Sequence, residues 1–186
     1  MVQFGFNLCR AAAKLLGAAD GPTRLIVAGL VGAGLSASAF ANARILFAAG
    51  TWTAIDRGAT CVAAGRSAKI AVKGKVQPVA GFTFTADRRR WGEFHAHLSR
   101  GPRAGSSVIL TVGGQPFLLT ARGDWAWSTG PAQEQAIIAA ARNATGMRVE
   151  AHDLGGNRFA DPYGLDGAPA AIDAAAAACA GKMQPH

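Results

Sequence analysis

The closing segment of the chain reads Asp161-Pro-Tyr-Gly-Leu-Asp-Gly-Ala-Pro-Ala-Ala-Ile-Asp-Ala-Ala-Ala-Ala-Ala-Cys179. It predicts a strand that ends near Leu165, a turn at Asp166-Gly167 and a helix that begins at Pro169. Proline suits the first helical position, and the alanines that follow lose little side-chain entropy in a helix. One side of this helix carries a narrow stripe of mostly small side chains: Ile172, Ala175, Ala176 and Cys179. Such a stripe favours close packing of the helix against a sheet.

The first 43 residues have the pattern of a secretory signal peptide. Basic residues precede the apolar run Leu25–Phe40, which ends in Ala41-Asn42-Ala43. We therefore expect cleavage after Ala43 and a single mature domain over residues 44–186. The alternatives are an uncleaved membrane anchor and a buried helix. The apolar run is rich in Gly, Ala and Ser, and its 16 residues are fewer than the ~20 of a typical membrane span.

Composition and charge limit the kind of protein and the kind of partner. The chain has 186 residues, 50% of them hydrophobic and 16% charged, which fits one globular domain and excludes a disordered polymer. Residues 44–186 contain 16 Lys and Arg against 10 Asp and Glu, a formal charge of +6. Outside the cytoplasm, a basic surface of this kind favours lipid phosphates, anionic glycans or acidic proteins over nucleic acid.

Cysteine usage agrees with export. Cys9 leaves with the signal peptide, so Cys61 and Cys179 remain as a pair in an oxidising compartment. We expect a disulfide between them, the alternative being two separate buried thiols. The sequence contains no Cys-x-x-Cys, which excludes a thioredoxin-type redox site and a four-cysteine zinc site.

Short strands separated by turn residues predict a mainly β fold. Gly113-Gly114 gives the strongest hairpin signal, because glycine permits positive φ at both turn positions. The strand candidates are 51–55, 60–64, 68–73, 81–85, 91–98, 107–112, 115–120, 147–152 and 158–165. A penultimate helix is expected over Pro131 to Asn143, with Ile137, Ile138 and Ala141 facing inward. Without a regular βαβ rhythm, we expect an antiparallel β-sandwich or partly open barrel capped by the penultimate and C-terminal helices.

Three segments of the last third carry a resemblance: Ile137-Ile-Ala-Ala-Ala-Arg142, Met147-Arg-Val-Glu150 and Tyr163-Gly-Leu-Asp-Gly-Ala-Pro-Ala-Ala-Ile172. Over residues 50–178 the chain resembles the invasion-associated locus B family. The resemblance implies an exported protein of a Gram-negative bacterium, with a cell-envelope or host-invasion role and no catalytic signature.

The chain departs from the family pattern at three places. Gly164 and Ala168 replace a serine and a phenylalanine of the closing motif, and Arg122-Gly-Asp-Trp-Ala-Trp127 stands where typical members have a close pair of cysteines. The resemblance then implies a divergent member in which Cys61 and Cys179 have taken over the stapling.

Two histidines are the only candidate for metal chemistry. His95 and His97 lie two apart on a predicted strand and would share one face, a spacing that can present two imidazoles to a metal. His152 or Asp153 would have to supply a third ligand. The alternative is a polar, solvent-facing pair. Ser99, Ser106 and Ser107 lie nearby, but no Gly-x-Ser-x-Gly elbow accompanies them.

Basic and aromatic residues form a candidate binding surface: Arg88, Arg89, Arg90, Trp91, Arg103, Trp125 and Trp127. Guanidinium groups beside an indole suit a membrane interface or a sugar-phosphate ligand, and Lys73, Lys75 and Arg100 would extend the patch. The alternative is a solvated loop that protects strand edges. Trp125 and Trp127 share a face if extended. We interpret one as core and the other as rim, with a binding platform as the alternative.

The sequence thus predicts a non-enzymatic, exported cell-envelope protein whose activity is binding. The expected partner is an anionic envelope component or another protein, with no nucleic acid, metal or other cofactor. The alternative function is a metal-binding periplasmic protein or enzyme that uses His95 and His97.

Overall fold

The computed structural model describes residues 43–182, which lie in one compact unit. The predicted signal peptide lies outside the described residues except for Ala43, so it stays a prediction. Ten strands and two helices follow. The strands are β1 Arg44–Ala49, β2 Trp52–Asp56, β3 Thr60–Arg66, β4 Val79–Thr85, β5 Trp91–His97, β6 Val108–Val112, β7 Gln115–Arg122, β8 Trp125–Trp127, β9 Gly146–His152 and β10 Arg158–Gly164. The helices are α1 Pro131–Asn143 and α2 Ala168–Ala180.

All ten strands form one antiparallel sheet in the order β1-β2-β3-β4-β5-β8-β7-β6-β9-β10. The sheet curls without closing into a barrel. Its far strand approaches the first strands: the Trp52 indole N–H donates to Gly164 O at 2.8 Å, and the Ser67 hydroxyl donates to Pro162 O at 2.8 Å. The predicted fold class, a mainly β open barrel or sandwich with two helices, is confirmed.

One face of the curled sheet forms the core. Alternate residues of the strands point inward, among them Phe82, Phe94, Leu110 and Val149, each with no exposed surface. Trp52 packs on the backbone of Gly65, where a Cβ would lie 2.5 Å from the indole ring. Glycine at this position therefore lets the largest core side chain lie flat on β3.

Helix α2 covers the inner side of β1 to β4, and α1 packs mainly on β5. The buried side of α2 consists of Ala168, Ala171, Ile172, Ala175 and Cys179, so the predicted stripe is confirmed except at Ala176, which is half-buried. On α1, Ile137 and Ala141 are buried as predicted. Ile138 is half-buried, and Glu134 takes a buried position that the sequence had not indicated. Neither helix of residues 43–182 is long and apolar enough to cross a bilayer.

The predicted disulfide is present. Cys61 of β3 and Cys179 of α2 are both fully buried, with Cα atoms 5.8 Å apart, and they are bonded to each other. The same end of α2 is held by Lys182, whose ammonium donates to the Asp56 carboxylate and to Gly58 O. The last turn of α2 is thus tied covalently and ionically to β2, β3 and the turn between them.

The predicted strand at 68–73 is wrong. Residues 67–78 form a loop. Its first backbone groups bond to Pro78 and to Pro162 of β10, and three further groups bond to the side chain of Gln77. Gln77 Oε1 accepts from Ala71 N at 3.0 Å, and its Nε2 donates to the carbonyls of Ser67 and Lys69 at 3.1 and 3.0 Å. The alternating apolar residues that suggested a strand point into solvent, with Ile70 87% and Val72 71% exposed.

We expect the disulfide to contribute strongly to stability. It closes a separation of 118 residues, for which the loop-closure entropy argument gives about 4 to 5 kcal/mol as an upper figure. The double variant Cys61→Ala, Cys179→Ala should lose several kcal/mol of unfolding free energy in urea titrations. Reductant present throughout unfolding should lower the stability of the unmodified protein and leave that of the double variant unchanged. Equal sensitivity of both proteins to reductant would contradict a stabilising disulfide.

Candidate functional site

The outer face of the sheet carries two rows of side chains that cross the strands. Directly opposed residues of antiparallel strands point to the same face, so the register fixes both rows. The first row, which we call the outer row, consists of Arg66, Val79, His97, Trp125 and Arg122. The second consists of Ala64, Gly81, His95, Trp127 and Thr120.

Four of these side chains form a ring cluster: His95, His97, Trp125 and Trp127. The His97 ring stacks on Trp125, with centroids 4.5 Å apart and planes at 9°. Trp125 also lies 6.3 Å from Trp127 and 6.1 Å from His95. His97 Nε2–H donates to Asp124 Oδ2 at 2.8 Å, which fixes the ring on the indole and lowers the pKa of Asp124. The cluster is therefore held in place before any ligand binds.

His95 is half-buried and lies against the sheet backbone. Its ring lies over Gly81, where a Cβ would approach the imidazole to 3.0 Å, and its Nδ1 lies within hydrogen-bonding distance of Thr83 Oγ1, at 3.2 Å. Burial lowers the pKa of His95 to about 4, and the positive charges of Arg90 and Arg57 act in the same direction. At neutral pH this imidazole is uncharged.

Exposed cations end the outer row on both sides. Arg66 and Arg122 are exposed, and neither forms an ion pair with any residue of the described range 43–182. The row crosses five strands. Their four inter-strand spacings of ~4.8 Å make the row about 19 Å long. Trp125, at 37% exposure, is its most accessible aromatic side chain. The outer row thus offers two cationic ends with an aromatic middle.

The predicted interpretation of the two tryptophans is wrong. Neither indole belongs to the core, because Ala126 between them is the residue of β8 that points inward. Trp125 and Trp127 lie together on the outer face, as the platform alternative required. The predicted shared face of His95 and His97 is confirmed, since both rings lie within 6.1 Å of the same indole.

A bulge separates Trp91 from this outer face. The register shifts between Thr83 and Phe84, and Gly92 adopts φ +90°. Phe84 therefore opposes Trp91, and the two rings meet edge to face at 5.3 Å on the inner side of the sheet. Trp91 and the pair Trp125 and Trp127 consequently point to opposite faces, so the predicted surface is not continuous.

The three arginines before Trp91 are largely engaged with neighbours. The guanidinium of Arg88 lies 4.5 Å above the Trp91 ring. Arg89 pairs with Asp87 at 3.5 Å, and Arg90 pairs with Glu93 at 3.6 Å. This turn is therefore less positive than its sequence suggests.

A groove of about 510 Å³ lies between this turn and the start of α1. Arg88, Arg89 and Trp91 form one wall, and Glu134 lies opposite. Ser128 Oγ–H donates to Glu134 Oε1 at 3.1 Å, while burial raises the pKa of this carboxyl. Cations and carboxylates thus face each other across the groove, which gives it no single charge preference.

Arg103 occupies a third position. Its backbone N–H donates to His152 O at 2.8 Å, and its guanidinium lies beside Gly156 in the turn after β9. Arg100 pairs with Asp153 of the same turn at 2.8 Å. Arg103 and Arg100 are therefore bound to the β9–β10 turn and do not extend the Arg88 to Trp91 segment.

The geometry does not favour the metal alternative. Asp153, one of the two suggested third ligands, is engaged with Arg100 and with the backbone of its own turn. Among residues 43–182, no three His, Cys, Asp or Glu side chains are grouped as metal ligands would be. Each imidazole of the pair already faces a hydrogen-bonding partner, Thr83 or Asp124.

Sequence reasoning missed two buried carboxyl groups. Asp161 of β10 is fully buried, and its carboxylate accepts a hydrogen bond from Ser99 N at 2.8 Å. The hydroxyl of Tyr163 is buried beside it, and burial and the Asp161 charge raise the pKa of Tyr163. Glu134 is the second. Alternation could have placed Asp161 inward, between Phe159 and Tyr163, but an isolated aspartate in a strand does not reveal its partner.

Comparison of the chain with protein-family models, with curated proteins and with solved structures finds no match. The resemblance to the invasion-associated locus B family accordingly stays a prediction.

We expect His95 to make the fold sensitive to mild acid. Its pKa is near 6.5 when unfolded and about 4 when folded, so between these values the unfolded chain binds more protons. Stability should then fall by about 2 kcal/mol as the pH drops from 7.5 to 4.5. Urea titrations at both pH values would measure the loss, which His95→Gln should remove.

The matched control is His152→Gln, at an exposed histidine on β9. It should keep the pH dependence of the unmodified protein. If His95→Gln retains the same loss, the neutral, half-buried imidazole of His95 is not its cause.

Proposed function

We propose that this chain is an exported, non-enzymatic cell-envelope protein that binds an anionic glycan along the outer row. The observation that carries the proposal is the pair of exposed arginines, without acidic partners among residues 43–182, at the two ends of a preformed aromatic row. A row of about 19 Å matches an extended chain better than a single small ion.

The donors of the row suit an acceptor-rich ligand. Guanidinium groups bind carboxylate, sulfate and phosphate through charge-assisted hydrogen bonds. The indole N–H groups of Trp125 in the row and of Trp127 in the neighbouring row donate to no other group among residues 43–182, so they can serve ligand oxygens. Stacking of His97 on Trp125 and its bond to Asp124 reduce the side-chain entropy that binding would otherwise cost.

Export has separate support. The buried disulfide is typical of proteins that fold in an oxidising compartment. Strand β1 begins at Arg44, so cleavage after Ala43 would remove no residue of the sheet. The net charge of +6 in residues 44–186 suits anionic envelope components.

Binding to polysaccharides of different charge tests the proposed ligand class. Calorimetric titration with alginate, an anionic chain, should give binding that neutral dextran does not show. Arg122→Gln and Trp125→Ala should each weaken alginate binding about tenfold, because each removes a charge-assisted or aromatic contact. Added salt should weaken the binding further.

Matched controls separate this site from general basicity. Arg103→Gln removes an exposed arginine beside the β9–β10 turn that forms no ion pair within residues 43–182, and Ile109→Ala removes an apolar side chain as exposed as Trp125. Neither should change alginate affinity. If Arg89→Gln weakens binding and Arg122→Gln does not, the Arg88 to Trp91 turn is the site and the outer row is not.

We expect the native protein to begin at Arg44. Protein recovered from the envelope fraction of its host can be sequenced from its N-terminus. An intact Met1, or recovery from the cytoplasm, would overturn the proposed compartment without affecting the binding test.

A further inference from the structure

We infer that the loop 67–78 is a membrane-docking element that inserts apolar side chains into an anionic lipid surface. This surface differs from the outer row and serves a different ligand. The loop exposes Ile70 at 87%, Val72 at 71% and Val76 at 45%, and Lys69, Lys73 and Lys75 alternate with them in the sequence. Folded proteins rarely expose neighbouring large aliphatic side chains without a partner.

The exposure results from an ordered backbone. Gln77 binds three backbone groups across the loop, and Lys75 N donates to Val72 O at 2.9 Å in a tight turn at Gly74, whose φ is +81°. Ser67 anchors the base of the loop. Its backbone N–H donates to Pro78 O at 2.9 Å, and its hydroxyl donates to Pro162 O at 2.8 Å. Ile70 and Val72 are therefore presented outward by a fixed loop, and a partner need not order it.

The charges select the partner. None of the three lysines forms an ion pair within the described part of the chain, so all three ammonium groups can meet an external anion. Cations interleaved with aliphatic side chains match a lipid bilayer with anionic headgroups: the aliphatic groups enter the acyl boundary and the lysines stay at the phosphates. Each lysine near such a surface strengthens binding about fivefold.

The neighbourhood of the loop fits the same partner. A cavity of about 530 Å³ joins Ile70, Val72 and Lys75 to Arg100 and Asp153. Leu154, next to Asp153, is 79% exposed. The β9–β10 turn thus has an exposed aliphatic residue next to one that lines this cavity, and the ion pair between Arg100 and Asp153 leaves no net negative charge between them.

Vesicle binding tests the inference with the full chain. Sedimentation with vesicles of phosphatidylcholine and phosphatidylglycerol should show binding that vesicles of phosphatidylcholine alone do not. The triple variant Lys69→Gln, Lys73→Gln, Lys75→Gln should bind about 100-fold more weakly. The variant Ile70→Ser, Val72→Ser should bind about tenfold more weakly at unchanged charge. Leu118→Ser and Arg57→Gln, which change exposed residues elsewhere, should bind normally.

A fluorophore on the loop measures insertion of the loop into the bilayer, and this measurement does not depend on whether the signal segment has been cleaved. An environment-sensitive label at Val72→Cys, in a Cys9→Ser background, should shift to the blue with anionic vesicles, while the same label at Leu118→Cys should not. Cys61 and Cys179 are bonded and buried, so they take no label.

Several results would overturn the inference: no shift at position 72, equal binding of the lysine variant, or equal binding to neutral vesicles. Binding of polyglutamate without vesicle binding would make the partner an acidic protein. If the chain associates with itself and the variant Ile70→Ser, Val72→Ser abolishes this association, the partner of the loop is a second copy of the chain. The lysine variant should keep alginate binding and Arg122→Gln should keep vesicle binding, so this inference and the proposed function fail separately.

Discussion

The fold depends on the close approach of α2 to an open sheet. A sheet that curls without closing leaves its inner face exposed unless another element covers it, and here α2 covers β1 to β4. Three of its five buried residues are alanine, so the helix axis can lie near the strands. The core aromatic residues Phe82 and Phe84 are consequently removed from water, each contributing about 2 to 3 kcal/mol. The disulfide from Cys61 to Cys179 holds this contact at the end of the helix where fraying would otherwise begin.

Two glycines on adjacent strands allow rings to lie flat against the sheet, one on each face. On the inner face, Gly65 accommodates Trp52, whose indole N–H reaches Gly164 O and joins the two ends of the sheet. On the outer face, Gly81 accommodates His95 and so sets the depth of the ring cluster. The first contact stabilises the fold. The second lowers the stability of the fold in mild acid, because it buries an imidazole that would otherwise be charged there.

Much of the fold could be predicted from the sequence, because most strands alternate strongly and both helices have a proline in the first turn. Strand β8 was missed because three residues are too few to show a period. The strand predicted at 68–73 was wrong because alternation alone does not show whether its apolar residues face a core or solvent. The disulfide could be predicted because cleavage of the predicted signal peptide would leave Cys61 and Cys179 as a single pair.

The candidate site could be predicted only in part. The residues of the outer row come from five strands, and their juxtaposition depends on pairing between segments as distant as β3 and β7. The sequence identified Trp125 and Trp127 but grouped them with Trp91. That grouping failed because the bulge at Gly92 changes which face Trp91 points to, and a single glycine in a strand does not reveal such a shift in advance.

The net charge of the domain is informative only once its distribution is known. Many of the basic residues lie beside carboxylates: Arg100 with Asp153, Arg142 with Asp173, and Arg148 and Arg158 with Glu150. Such pairs contribute little field beyond their immediate surroundings, since opposite charges cancel and salt screens the remainder. The cations that lack an acidic partner within the described part of the chain include Arg66, which ends β3, and the three lysines of the loop that follows it. A large part of the excess positive charge therefore lies where β3 passes into loop 67–78. The exposed aliphatic side chains of this loop add an apolar contact, which electrostatic attraction to a simple anion would not require.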